Sequence, residues 1–333
     1  MKRYLGLLTA VALAFGATAA WAQKTVTFAY QDMMNPWRWV QQSGEVEKAT
    51  GFKINFRQFG GGGDVIRAMA SGDVQLGEIG STGIATAISQ GMDVELFWIL
   101  EDIAAAEALV ARNGSNINSI ADLKGKKIAT PFVSTSHFQL LYAMDKAGIK
   151  ASDAQILNMR PPEIAAAWGR GDIDATFIWD PVLSTVKKNG KVLMTSGDIC
   201  KQGACTFDGL VVTRKFAKEN PAFMVALVKA IAKADADYKA NAKGWSGDSD
   251  KAKAVAKWSG GKLEDVPDAM KLYGFPSLQE QASPSWLGGG ANGAAAKALT
   301  QQANFLKEQG RLTSVVPDYS KSVTTEWVTQ AMK

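Results

Sequence analysis

Lys127 to Ile149, KIATPFVSTSHFQLLYAMDKAGI, reads as strand, hydroxyl-rich turn and helix in immediate succession. The turn is Ser134-Thr135-Ser136. The apolar residues Phe138, Leu141, Tyr142 and Met144 follow at roughly helical spacing, and Gly148 stands where a helix C-terminus belongs. The hydroxyls therefore cap a helix. A helix start leaves backbone N–H groups without internal partners and carries about half a positive charge. The turn is thus either an ordinary N-cap or the seat of an anion.

The flanking text repeats this alternation. Asp64 to Ser71 reads as a short helix ended by Gly72, then VQLGEIG as a buried strand opening into Ser81-Thr82-Gly83 and another helix. About a hundred residues later IAAAWGRGDIDATFIWDPV gives helix, Gly171, strand and the loop Trp179-Asp180-Pro181. The shared order and the local text (S/R)GD(V/I)(Q/D) mark corresponding pieces of two similar lobes. Upstream, TVTFAY is a first strand, the loop through Pro36-Trp37-Arg38-Trp39 leads to a helix over Val40 to Thr50, and FKINFRQF is a second strand. Gly60 to Gly63 lacks the Lys-Ser/Thr of a phosphate loop and reads as a flexible turn with Asp64 as N-cap. VELFWIL and EALVAR are strands around an acidic turn at Glu101-Asp102, TFDGLVVTRKFA returns to a strand with Asp208 just before it, and the chain beyond Asn220 is largely helical. The class is α/β, with mainly parallel sheets flanked by helices. In such sheets a ligand sits outside the carboxyl ends of the strands, where Ser81-Thr82, Ser134 to His137 and Trp179-Asp180 all fall.

The 333 residues are 47% hydrophobic and 21% charged, ample for two lobes with buried cores. Met1 to Ala22 has a basic start, an apolar run and Ala20-Trp21-Ala22, the pattern of a cleaved secretory signal. No other run approaches the length of a membrane span, so an exported, soluble mature protein is expected. Loss of Lys2 and Arg3 takes the net charge from +5 to +3, and without a basic cluster nucleic acid is excluded as a partner. For Cys200 and Cys205, with four residues between them in an oxidising compartment, a structural disulfide is favoured over two free thiols. With His137 as the sole histidine, no metal site and no cofactor are expected.

GKKIATPFVSTSHFQLLYA and PPEIAAAWGRGDIDATFIWDP, together with VTFAYQ, IRAMASGDVQLGEIGST, AEALV, FDGLVV, FLKEQG and VVPDYSKSVT, make the chain resemble the periplasmic substrate-binding proteins of bacterial ABC importers for taurine and other aliphatic sulfonates. The resemblance covers essentially the whole mature length, and its P-F-V-S-T-S-H segment points to the taurine branch. It implies a type II, Venus-flytrap fold whose lobes close on a ligand, with lobe 1 at about 24–112 plus 210–333 and lobe 2 at 113–209. It also implies a free periplasmic monomer that delivers its ligand to an inner-membrane permease and catalyses nothing.

A sulfonate is a permanent anion with three acceptor oxygens, which hydroxyls and helix-start N–H groups satisfy without a cationic side chain. Ser81, Thr82, Ser134, Thr135 and Ser136 supply these, and Gln31 at the end of VTFAYQ joins the ligand set. The ammonium of taurine asks for carboxylates and an aromatic face, for which Glu107, Asp208 and Trp179 are the candidates. Asp208 is either the amine partner or a local turn residue, and His137 either donates to the anion or is structural. The resemblance leads to a small residue where Asp180 stands, an acidic one where Asn35 stands and fewer acids at Glu101-Asp102. If Asp180, Trp37 and Trp39 face the cleft, a more cationic ligand such as a methylated amine fits better. Another alkanesulfonate, a quaternary amine, a sensor role or a biosynthetic enzyme on the same fold stand as alternatives. The enzyme has against it the lack of a G-x-S-x-G elbow or metal-ligand cluster.

Overall fold

The computed structural model describes residues 23–333, so the expected signal segment lies outside the described residues. The chain begins with β1 (Thr25–Tyr30), α1 (Trp37–Ser43), α2 (Glu45–Thr50), β2 (Lys53–Gln58), α3 (Gly62–Ala70), β3 (Leu76–Gly80), α4 (Ser81–Ser89) and β4 (Val94–Asp102). It continues through β5 (Glu107–Arg112), β6 (Lys127–Thr130), α5 (Thr135–Lys146), β7 (Gln155–Asn158), α6 (Pro161–Arg170), β8 (Ala175–Trp179), α7 (Val182–Lys187), β9 (Gly190–Thr195), α8 (Ser196–Cys200) and β10 (Phe207–Thr213). Further helices, including Pro221–Ala240 and Ala294–Glu308, follow.

The strands form two five-stranded sheets, ordered β2-β1-β3-β10-β4 and β7-β6-β8-β5-β9. In each, the first three strands pair parallel, joined by helical crossovers, while the fourth position is antiparallel to both neighbours. The sheets are therefore mixed, but as expected mainly parallel in direction: four strands of each run one way and only β10 or β5 runs against them. The reason is topological: β5 and β10 each enter their sheet from the other one. The chain changes sheets over Ile103–Ala106 and again between β9 and β10, whereas the expected changeover at Arg112/Asn113 lies at the end of β5 and that at Gly209/Leu210 inside β10. The repeated text around Gly72 and Gly171 maps onto equivalent places, the third strands β3 and β8 with their preceding helices.

Burial follows position. β3 and β8, central and covered on both faces, are buried throughout, whereas the edge strand β2 is largely exposed. In the second sheet the period-2 alternation sends Leu109 and Phe177 into a cluster with Phe138 on one face, and Val110 and Ile178 into one with Trp168 on the other. Several local expectations change. The helix expected over Val40 to Thr50 is two, broken at Gly44, whose φ of 63° is left-handed. Asp64 is not an N-cap: α3 starts at Gly62, and Asp64 in its first turn pairs with Arg67 and with Arg160, the residue just before α6. Glu101 and Asp102 are the end of β4, not a turn. Ser134, as expected, caps α5, its side chain accepting from His137 N at 3.1 Å.

Cys200 and Cys205 form a disulfide in the second crossing between sheets. The same segment is held by Gln302 Nε2, which donates to the Cys205 carbonyl at 3.2 Å, and by Gln139 Nε2, which donates to Thr206 Oγ1 at 2.5 Å. Replacing both cysteines with serine lowers the unfolding free energy by about 2 kcal/mol, the chain-entropy value for so short a loop. Urea denaturation checks this, and an unchanged midpoint and slope would show that the glutamine bonds alone fix the crossing.

Candidate functional site

Because β5 and β10 run antiparallel to their neighbours, their first residues meet the carboxyl ends of β8 and β3. The register places Glu107 opposite Trp179 in one sheet and Asp208 opposite Gly80 in the other. These four residues, with Gln31, Met33, Gly62, Ser134 and Thr135, line a narrow cavity between the two sheets. The helices α3, α4 and α5 all start at its wall, bringing three sets of N-terminal N–H groups toward one space. Gly62 and Gly80 permit the close approach. A Cβ on Gly62 would lie 3.1 Å from the Val133 carbonyl, and one on Gly80 would lie 2.9 Å from Thr135 Cγ2.

Below the cavity lies a fully buried ion pair. Arg38 of α1 donates to Glu78 of β3 through Nη2 at 2.6 Å and Nη1 at 2.9 Å. Its remaining donors reach Gln41 Oε1, the Met33 carbonyl and the Gln31 carbonyl, so all five N–H groups are used and the loop bearing Gln31 and Met33 is fixed. Gln31 Nε2 in turn donates to the Glu78 carbonyl at 3.1 Å. The guanidinium is thus committed to protein and leaves an anion to the helix starts.

The carboxylates outnumber the cation. Burial pushes Asp208 well above the usual carboxylate range, and the negative neighbours Glu101, Glu107 and Glu78 push it further, against the pull of Arg38. Burial raises Glu107 to about 7, opposed by the Thr135 hydroxyl, which donates to Oε1 at 2.6 Å. Asp32 is raised to about 6, again by burial, and accepts from Trp179 Nε1 at 2.9 Å, a hydrogen bond that ties the two lobes.

Among the residues expected at the site, Gln31, Glu107, Ser134, Thr135, Trp179 and Asp208 line the cavity. The others do not. Ser81 and Thr82 both donate to Gln302 Oε1, at 3.0 and 2.8 Å, so their hydroxyls serve the fold while their helix start faces the cleft. Ser136 is buried without a partner for Oγ. His137 stacks on Phe132 at 4.3 Å, and burial lowers it to about 4, leaving a neutral ring. Asp180 accepts from Ser184 N at 2.8 Å at the start of α7 and is absent from the lining. Trp37 packs between Phe28 and Phe56 in the core, and Trp39 lies at the outer surface beside Gln42 and Lys257, so neither enriches the cleft in aromatic surface. Sequence reasoning missed Arg38, Glu78 and Glu101. A glutamate inside the otherwise apolar VQLGEIG, buried on both faces, was the available signal for Glu78.

Residues 48–243 match the model of the family described as NMT1/THI5 like. The chain belongs to this family. It is 39% identical over 317 residues to the taurine-binding periplasmic protein of Escherichia coli (strain K12), covering 95% of this chain and 96% of that one. The family fold also appears in the periplasmic aliphatic sulphonate binding protein SsuA from Escherichia coli, at 23% identity and a TM-score of 0.71 over 93% of this chain and 100% of that one. The desulfurization enzyme DSZB shares the fold at 13% identity and a TM-score of 0.63, covering 93% of this chain and 99% of that one.

The raised carboxyls set the pH dependence of the ligand-free protein. Glu107, ordinarily near 4.5, and Asp32, ordinarily near 3.8, hold protons in the folded state up to about 7 and about 6, which the unfolded chain has already released. Their stabilisation is complete below the ordinary values and is lost as pH rises. His137 works oppositely between about 4 and its ordinary 6.5, but the carboxyls outnumber it. The unfolding free energy therefore falls from pH 5 to pH 7, and Glu107→Gln falls less steeply. Chemical denaturation at the two pH values tests this; a rise across that window contradicts it.

Proposed function

We propose that this protein captures taurine or a closely related amino-sulfonate in the periplasm and delivers it to the permease of an ABC importer. The observation that carries the reading is the cavity's division of labour. The starts of α3, α4 and α5 offer N–H groups to an anion, and Glu107 and Asp208 offer carboxylates to an ammonium. That is a receptor for a small zwitterion whose anion needs no cationic side chain. The 39% identity to a taurine-binding periplasmic protein over nearly the whole chain supports it. The two lobes close by a hinge at the two crossings between sheets, each the site of a change in backbone direction.

The same residues favour binding over catalysis. Both cysteines are in the disulfide and the histidine is stacked on Phe132 outside the cavity lining, so neither a thiolate nor an imidazole base reaches a bound ligand. A calorimetric panel of taurine, hypotaurine, N-methylated taurines, ethanesulfonate, choline and glycine betaine tests the ligand class. Taurine binds and ethanesulfonate binds weakly or not at all. Asp208→Asn loses about 2 kcal/mol toward taurine, roughly 30-fold in affinity, by removing the charge beside a buried ammonium. Binding of the quaternary amines alone, or an unchanged taurine affinity in Asp208→Asn, rules the assignment out.

A further inference from the structure

Glu101 does not line the cavity, yet it stands directly across the sheet from Asp208, which does. Directly paired residues share one face, with Cβ atoms about 4.5–5.5 Å apart. Glu78, paired with Leu210, sits on that face two positions along β10. Glu78 is matched by Arg38. Glu101 receives only the neutral amide of Asn35, whose Nδ2 lies 3.0 and 3.3 Å from its two oxygens, and it is fully buried. Among the described residues no hydrogen bond reaches the Asp208 carboxyl, although it is itself buried. Three carboxyls therefore share one guanidinium. The other charged or titratable groups acting on the pair are Glu107 from β5, Asp235 from the helix Pro221–Ala240, and Tyr273, and none of these supplies a positive charge.

We propose that Glu101 is a specificity-determining residue acting through Asp208: in the empty cleft the two carboxyls retain one proton between them, and a bound ammonium displaces it to solvent. The ligand arrives already protonated on nitrogen, Asp208 loses its proton to water, and the positive charge at that point is exchanged rather than added. This rests on the amino-sulfonate reading above. Two carboxyls in one low-dielectric site titrate as a pair, the second ionising only when a cation compensates it. Burial first, then Glu78 acting on Glu101 and Glu101 acting on Asp208, hold both carboxyls well above their ordinary range. A ligand without an amine leaves the proton in place, so the pair selects for the ammonium independently of the anion site.

Calorimetry in buffers of different ionisation enthalpy counts the protons released. The purified protein releases close to one proton per taurine at pH 7. Its taurine affinity rises by up to about tenfold per pH unit, the linkage slope for one proton, while any ethanesulfonate binding releases none. Glu101→Gln removes the neighbouring charge, so Asp208 is already ionised: proton release falls and the pH profile flattens. Asp180→Asn, at a carboxyl outside the cavity lining, keeps both. Release that survives in Glu101→Gln but vanishes in Glu107→Gln moves the proton to Glu107 and overturns the proposal. If Glu101→Gln does not fold, the wild-type count still decides, since taurine bound without proton release also overturns it. Failure to bind any amino-sulfonate is a different result, and it removes the functional reading itself.

Discussion

Everything at the cleft rests on one buried ion pair, Arg38 with Glu78, and on its having no donor to spare. A guanidinium taken out of water is tolerated only when its N–H groups are met, and here two go to Glu78, one to Gln41 and two to the carbonyls of Gln31 and Met33. Loss of either member of such a pair costs about 3–5 kcal/mol, because the other stays behind uncompensated. The pair also has a geometric effect. It welds the loop after β1 to the centre of the first sheet, so two of the residues lining the cavity are held by the same atoms that neutralise its floor. Because the cation is spent in this way, it is the backbone N–H groups at the helix starts that, on the proposed reading, would meet the anionic end of a ligand.

The second constraint is the near-repetition of one sheet by the other. Each sheet receives an antiparallel strand from its neighbour, and that strand's start is forced to the cleft end, where parallel strands finish. A carboxylate occupies each start: Glu107 opposite the last residue of β8, Asp208 opposite the last residue of β3. The cavity thus has one acid from each lobe. Closing the lobes brings the two together, which is unfavourable unless a proton or a cation lies between them. The charge that discourages an empty closed cleft is the same charge that rewards an ammonium.

This division explains what the sequence could and could not show. The helix cap at Ser134, the alternation of strands and helices, and the repeat around Gly72 and Gly171 depend on neighbours a few residues away, and local text carries them. The antiparallel insertion of β5 and β10 does not, because strand direction is absent from strand composition. EALVAR and TFDGLVV read the same in either sense. Side-chain allegiance is equally nonlocal. The Ser81 and Thr82 hydroxyls belong to Gln302, over two hundred residues away, and the Trp179 indole belongs to Asp32 in the other lobe. Asp180 reads as a cleft acid from its place after β8, yet the backbone of Ser184 claims it. Glu101 looked like part of a turn because two acids end an apolar run. It is instead a strand residue whose pairing partner, Asp208, is over a hundred positions on.

The contacts between lobes show where the energy of closure must come from. The Arg160–Asp64 pair spans them at 3.2 Å, but the arginine is 63% exposed, and an exposed pair of this kind is worth at most about 1 kcal/mol. Trp179 to Asp32 is one hydrogen bond, with a net worth of about the same size. Gly62 and Gly80 allow the lobes to touch without adding apolar surface of their own. Larger apolar contacts, such as Phe305 against Phe138 and Tyr142, lie on the helix Ala294–Glu308 that backs the hinge. At the mouth, Met33 joins the apolar cluster of Val110 and Trp168 and Val133 packs against the first lobe's core, so these contacts and two weak polar links stand against the two facing carboxyls. On the proposed amino-sulfonate reading, closure is coupled to occupancy: an ammonium would convert the opposed acids from a repulsion into a bridge, and an anion would satisfy helix starts from both lobes at once.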